Sequence, residues 1–410
     1  MNILNNLPEK YNLFDRFGED QSVLNVNGHL HSPYSFCSFD DIPQMFSMAR
    51  EENVVLLGIN DFFTVDGYKE FYQNALESGV FPLFNIEFIV LSGEMQQNNI
   101  RINDPVNPGR MYLSGKGLDY PVSSGKEMNE FLNSLQVESQ RQIRVMVEKT
   151  DTILRKADPS LTISYVEIKI KYARELVRER HIAKALRELV YEKYHSDQER
   201  INFLAAILDK NPESINTASE AGIENDIRSA LLKKGGAAFV PEDPSAFPPI
   251  EKVVSYILDA GGIPCYPVLL DGTKGDLTDF EGNWPVVHET LQKLNIHAIE
   301  LIPSRNTVSR LREFVQFFSQ KGYTISFGSE HNTPGVFPVE VKIEGDKQLP
   351  EDLREVAWKG ACIIAAHQYL RARGEQGFLD EAGKPFSEKP EYFEKLGNAV
   401  IKSYLQLHAK

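Results

Sequence analysis

Two histidines one residue apart, in Gly28-His29-Leu30-His31, are the first residues in this chain whose spacing could do chemistry. In an extended strand, residues two apart face the same side, so both imidazoles can grip one metal ion. Alone, the spacing fits a pair of hydrogen-bonded or solvent-facing histidines equally well. Three other segments change that balance. Asp61 follows the apolar run 54–59 in Gly58-Ile59-Asn60-Asp61. Glu87 lies inside an apolar run, with Ile86, Phe88, Ile89 and Val90 around it. A carboxylate there is costly to bury unless a cation compensates it, and a metal is one such cation. In Ser326-Phe327-Gly328-Ser329-Glu330-His331 a carboxylate and an imidazole again follow directly on an apolar strand.

The elements that position these residues are legible as short apolar runs alternating with helical periodicity. Strands are expected at 22–29, 54–59, 82–91, 110–113, 262–266, 298–302 and 323–328. Helices are expected between most of them, at 40–52, 66–77, 250–259, 286–294 and 308–320. Asp40 or Asp41 is placed to cap the first, with Pro43 in its opening turn, and Gly322 stands just past the end of the last. Strand–helix alternation implies a parallel sheet, and seven such units imply a barrel. Barrel enzymes carry their chemistry at the C-terminal ends of the strands. His29, His31, Asp61, Glu87, Glu330 and His331 all fall there, which is more specific than any one motif.

The segment between the two strand blocks, 123–236, is polar, charged and helical by period, and reads as an insertion in a barrel loop. Helices at 350–373 and 389–409 would cover the outside of the barrel. The resulting division is 1–122 and 248–345 for the barrel, 123–247 for the insertion and 346–410 for a C-terminal helical extension. Two cations are placed on the rim by position. Lys116, in Ser114-Gly115-Lys116-Gly117, follows the fourth strand, and Arg305 follows the sixth. A glycine-rich turn with a lysine can cradle phosphate, although a plain surface turn has the same composition. The Gly-x-x-x-x-Gly-Lys pattern of a nucleotide-binding P-loop is absent. His195, His288, His297, His367 and His408 have no partner spacing and read as structural or surface residues.

The HxH after the first strand, the Asp after the second, Ile86-Glu87 on the third and Gly328-Ser329-Glu330 on the last together resemble the PHP (polymerase and histidinol phosphatase) superfamily. The resemblance covers both strand blocks and reaches into the insertion through Arg178-Glu179-Arg180-His181-Ile182-Ala183, Phe239-Val240-Pro241 and Ala260-Gly261-Gly262. It implies a distorted seven-stranded (β/α)7 barrel and a metal-dependent phosphoesterase acting through a metal-activated water. It implies His29, His31, Glu87 and Glu330 as metal ligands, for Zn²⁺, Mn²⁺ or Fe²⁺. His331 would be a further ligand or a substrate contact, and Asp61 a base or an orienting group. His181 with Arg178 or Arg180 would present positive charge to a phosphate, alongside Lys116 and Arg305. On a bare sequence reading, His181 is equally a polar position on a charged helix.

The departures from the family pattern are specific. Phe62 stands where the family has a histidine after Asp61, and Tyr266 stands before Pro267 where it has another. The last motif is Glu330-His331-Asn332 in place of Asp-x-His, and only Ser35, Cys37 and Asp40 follow the HxH. The expectation is therefore one ion and at most two. Two alternatives follow: a non-catalytic homologue that binds a ligand through a depleted site, and a single-metal amidohydrolase-like enzyme.

Composition sets the outer bounds. The 410 residues are 42% hydrophobic and 25% charged, as in ordinary folded domains. The net charge of −14 argues against a long nucleic-acid partner, which needs a basic surface, while leaving room for a local basic pocket and a small phosphorylated substrate. Three scattered cysteines, Cys37, Cys265 and Cys362, make no disulfide framework or zinc cluster. Neither an apolar leader nor an apolar run of about 18 residues is present, so a cytoplasmic protein with no membrane partner is expected.

Overall fold

The computed structural model describes residues 3–122, 126–215, 219–241, 243–271, 277–380, 382–386 and 390–409. Its strands are β1 (Asn25–Leu30), β2 (Val54–Phe62), β3 (Phe81–Leu91), β4 (Arg110–Lys116), β5 (Ile263–Pro267), β6 (Ala298–Leu301) and β7 (Thr324–Phe327). They form one sheet in sequence order. The sheet curls until its ends meet. Leu30 bridges Glu330 in parallel, and the His31 N–H donates to the Glu330 carbonyl at 2.9 Å. This is the barrel that the alternation predicts.

One feature of the sheet differs from the expectation of parallel pairing. β4 runs antiparallel to both β3 and β5, while the other neighbours are parallel. A parallel neighbour needs a full crossover, usually a helix. Between β3 and β4 the chain makes only the five-residue helix Gly93–Gln97, so it returns in the opposite direction. The consequence is that Arg110 sits at the end of the barrel where the parallel strands terminate and Lys116 toward the other.

The helices in chain order are α1 (Lys10–Phe17), α2 (Ile42–Glu51), α3 (Tyr68–Ser78), α4 (Gly93–Gln97), α5 (Lys126–Ala157), α6 (Tyr165–Tyr172), α7 (Glu179–Lys193), α8 (Asp197–Leu208), α9 (Glu220–Ile227), α10 (Ile250–Asp259), α11 (Trp284–Lys293), α12 (Val308–Ser319), α13 (Glu351–Ala372) and α14 (Pro390–His408). Asp41 caps α2, its carboxylate accepting from the Gln44 N–H at 2.8 Å. The expected start of the insertion, Ser123, and the expected start of the last helix, Lys389, lie outside the described residues.

Two apolar cores follow from this order. The larger fills the barrel and packs α13 and α14 against it. The smaller lies in the insertion, where Ile143, Met146 and Leu154 of α5 meet Ile182, Leu186 and Val190 of α7. α5 belongs to both: Phe131, Leu132 and Leu135 pack on the barrel, and its second half builds the insertion core. Its 32 residues span about 48 Å at 1.5 Å per residue. That length lets a segment leaving the far end of β4 climb the barrel wall and cover the end where the parallel strands terminate. Among the described residues no helix is long and apolar enough to cross a membrane.

Candidate metal centre and cleft

β1 delivers the first two donors. His29 and His31 are both fully buried, with their Nε2 atoms 3.4 Å apart. The end of β7 presses against them. A Cβ at Gly328 would sit 2.2 Å from the Cβ of His29, so only glycine permits this approach. β3 supplies Glu87, whose Oε2 lies 3.4 Å from His31 Nε2. One donor atom from each of the three residues lies within 4.8 Å of the others.

The second nitrogen of each imidazole is engaged. His29 Nδ1 lies 2.6 Å from Glu300 Oε2. His31 Nδ1 lies 3.3 Å from the Ser35 hydroxyl, which donates to Asp61 at 2.5 Å. Imidazoles that bind metal characteristically give their other ring N–H to a carboxylate, carbonyl or water, which turns the remaining lone pair toward the ion. Here His31 Nε2 faces Glu87, and His29 Nε2 lies 3.4 Å from His31 Nε2 and 3.0 Å from the Asn60 amide. Burial pushes the Glu87 carboxyl well above its usual range, and the neighbouring Glu330 and Glu300 add to this. A nearby cation restores the ionised form. Two imidazoles and one carboxylate suit a divalent ion of the Zn²⁺, Mn²⁺ or Fe²⁺ type. His29, His31 and Glu87 thus form a group able to hold a metal.

Behind His29 lies a second buried arrangement. Lys116 Nζ contacts Glu300 Oε1 at 2.6 Å and Asn60 Oδ1 at 3.2 Å, and Lys116 and Glu300 are both fully buried. Burial alone would raise the Glu300 pKa, but His29 and Lys116 outweigh it and bring it to about 2. Glu300 is thus a carboxylate at any working pH.

Above the triad lies a cavity of about 400 Å³ between the barrel mouth and the insertion. Arg110, Arg178, Arg180, Arg228, Lys233 and Arg305 line it, against Glu87, Glu179 and Glu330. The insertion arginines dock on aromatic rings of the barrel loops. The Arg178 guanidinium lies 4.9 Å above Phe62, and Arg180 lies 5.5 Å above Phe36. Phe62 in turn stacks on His31, with ring centroids 4.8 Å apart.

No protein-family model matches the chain, and no curated protein matches it. Among solved structures, the chain is similar to a protein of Bifidobacterium adolescentis provisionally named a metal-dependent phosphoesterase. The two share 13% identity over 82% of this chain and 96% of that one, with a TM-score of 0.54. The shared fold is a distorted seven-stranded α/β barrel. A second similar structure is an amidohydrolase from Chromobacterium violaceum with bound sulfate and no metal, at 16% identity over 81% of this chain and 96% of that one, with a TM-score of 0.49.

Within this barrel the residues expected at the site separate into groups. His29, His31 and Glu87 converge. Glu330 stands at the cavity wall with its carboxylate 2.6 Å from Arg305 and 3.0 Å from the Asn332 amide, outside the His–His–Glu group. Asp61 lies behind His31, accepting from the Ser32 N–H at 2.7 Å and from the Ser32 and Ser35 hydroxyls. Burial raises its pKa to about 6 against the opposing pull of those hydrogen bonds. Arg178, Arg180 and Arg305 line the cavity.

Three placements correct the sequence reading. Lys116 is inside the barrel and not on the rim, because β4 runs antiparallel. His331 is stacked between Phe39 and Phe337, and its nitrogens lie 2.8 Å from the Ser329 hydroxyl and 2.8 Å from the Phe337 carbonyl. It therefore offers no nitrogen to the metal group. His181 caps α7, its Nδ1 accepting from the Arg178 N–H at 2.9 Å. Burial, reinforced by Arg178 and Lys184, lowers its pKa to about 3. It is a neutral ring and presents no positive charge. Tyr266 points away and donates to Glu281 at 2.7 Å.

The reading missed Glu300, Asn60, Arg110, Arg228 and Lys233. Glu300 carries the same signal as Glu87, a lone carboxylate in the apolar strand Ala298-Ile299-Glu300-Leu301. Arg110 was concealed by the assumed direction of β4.

Proposed function

We propose that the chain is a metal-dependent hydrolase that cleaves a small phosphate ester, of mononucleotide size or less. The observation that carries this is the His29–His31–Glu87 group, whose Glu87 lines a cavity in which cations outnumber carboxylates six to three. An ion held by these three residues would be a Lewis acid that lowers the pKa of bound water and polarises a phosphoryl oxygen. The chain's own residues do the remaining work. Glu300 and Ser35 hold the two imidazoles in the orientation that presents Nε2. Asp61 acts on His31 through Ser35, as a positioning residue. Arg178 and Arg305 face the cavity with charge suited to neutralising non-bridging phosphate oxygens in the transition state. Tyr112 also lines the cavity, and burial raises its phenol well above the ordinary value, so it remains a hydrogen-bond donor.

The cation-rich lining supports an anionic substrate over the neutral amide of an amidohydrolase. The cavity volume falls in the range of small-molecule sites, which with the net charge of −14 disfavours long nucleic acid. The test is turnover of an aryl phosphate with added Mn²⁺, compared with His29→Ala and with an aryl ester and anilide. Mn²⁺-dependent phosphate release that is lost in the variant and inhibited by free phosphate is expected. Cleavage of the anilide alone would overturn the reading. Phosphate binding without turnover of any ester would favour a ligand-binding protein.

A further inference from the structure

Lys116 has no role in the chemistry just described. Its amine is completely buried in the barrel, beneath the metal group. It contacts Glu300 Oε1 at 2.6 Å and Asn60 Oδ1 at 3.2 Å. The other Glu300 oxygen holds His29. Ser326 Oγ, 3.4 Å from Glu300 Oε1, and Ser114 Oγ, 3.3 Å from the Asn60 amide, complete the surroundings. Two oxygens therefore hold the amine, and one of them belongs to a carboxylate that also touches a metal-holding imidazole. This is a cation position next to the metal site, filled by a side chain.

A buried ion pair is weak evidence for stability, because desolvation cancels most of the attraction. The arrangement makes sense as charge control. Three carboxylates surround the imidazole pair: Glu87, Glu300 and Glu330. Lys116 pairs with Glu300, and Arg305 pairs with Glu330 at 2.6 Å. Only Glu87 is left to balance a metal ion. One divalent ion then leaves the group at +1, a sign that attracts phosphate. A second would leave it at +3, and the remaining buried carboxylate, Asp61, is held behind His31 by the Ser32 N–H and the Ser32 and Ser35 hydroxyls.

We propose that Lys116 is an internal cation that occupies a second cation position in the barrel and so restricts the site to a single metal ion. This rests on the reading of His29, His31 and Glu87 as the metal site. Removing the ammonium while keeping the side-chain length frees Glu300 Oε1 and Asn60 Oδ1 as donors.

The test is Mn²⁺ stoichiometry of the full-length protein by equilibrium dialysis and plasma mass spectrometry, with electron paramagnetic resonance of the loaded samples. Wild type is expected to saturate at one equivalent even in excess Mn²⁺, with the spectrum of an isolated ion. Lys116→Met is expected to take up two equivalents and to show an exchange-coupled pair. The neutral double variant Lys116→Met/Glu300→Gln is expected to return to one. Should Lys116→Met be unstable alone, a second equivalent of Mn²⁺ is expected to restore its melting temperature. One equivalent in Lys116→Met, no rescue of an unstable Lys116→Met, or two equivalents in wild type would each overturn the inference. Wild type with no bound metal would instead remove the underlying reading of the site, and this inference with it.

Discussion

Glu300→Gln is the perturbation whose consequences follow most directly from the distances. The glutamine keeps the shape of the side chain and removes its charge. It weakens the 2.6 Å contact that orients His29 and the 2.6 Å contact that compensates Lys116. Loss of such a partner to a metal-binding imidazole typically costs about 10–100-fold in metal affinity. Take about 30-fold as the central value. Mn²⁺ at 100 times the wild-type Kd stabilises the wild-type fold by about 2.7 kcal/mol. At the same free Mn²⁺ the variant gains only about 0.9 kcal/mol, one third as much. The metal-free variant also carries a buried ammonium without its carboxylate, at a cost of about 3–5 kcal/mol.

Two effects are thus separable by differential scanning fluorimetry with and without Mn²⁺, supported by isothermal titration calorimetry. The metal-free melting temperature falls, and the upward shift on adding Mn²⁺ shrinks. A variant with wild-type Mn²⁺ affinity and a wild-type shift would refute the argument that Glu300 orients His29 toward an ion. A fall in metal-free stability with an unchanged shift would leave Glu300 as a structural partner of Lys116 only.

Other outcomes follow from the same geometry. Arg178→Met removes a guanidinium above Phe62 that faces the cavity. A charge-assisted hydrogen bond to phosphate is worth about 1.5–3 kcal/mol, so kcat/KM for a phosphate ester falls about 10–150-fold, and an unchanged value would remove Arg178 from the site. His181 has a folded pKa of about 3, below its ordinary value. The unfolded chain therefore binds more protons between these values, and stability is full above about pH 6.5 and lost as pH falls toward 3. His181→Gln keeps an acceptor for the Arg178 N–H and flattens the melting temperature between pH 6.5 and 4; a profile identical to wild type would refute this. Gly397→Ala places a Cβ 1.8 Å from the Cys362 carbonyl oxygen, at the contact of α14 with α13. Backbone on both sides must move, at about 1–3 kcal/mol, so the melting temperature drops while Mn²⁺ affinity is unchanged.

The strands were legible because the barrel buries both faces of its wall. β3 is buried along its whole length except Leu91, and it reads as an apolar run interrupted by Asn85 and one carboxylate. Its direction relative to β4 was less evident, since periodicity does not encode polarity. The usable signal was the short connection after β3, with no helix long enough for a crossover. Missing it moved Lys116 to the wrong end of the barrel and hid Arg110. The segment after β7 failed for a different reason. Glu330 and His331 both adopt left-handed backbone, with φ of 63° and 57°. Their side chains therefore do not continue the alternation of the strand, and adjacency in sequence gave no adjacency at the site. Non-glycine residues rarely adopt that conformation, and nothing in the pattern of residue types marks these two.

Phe62 shows how a departure from a family pattern becomes intelligible only in three dimensions. Read as a sequence, it is a ligand position with no ligand atom. In the structure one neighbour of its ring is His31, at 4.8 Å, and another is the Arg178 guanidinium, at 4.9 Å. A phenyl ring has no lone pair to offer a metal, but its negative face attracts a guanidinium and its flat surface restricts the imidazole it stacks on. The residue that subtracts a donor from the metal group thus adds a fixed seat for a cation contributed by the insertion. Lys116 acts in the same direction from below, by occupying donors with an ammonium. Fewer metal donors and more protein cations are therefore two sides of one arrangement, in which positive charge for a phosphate is carried largely by side chains.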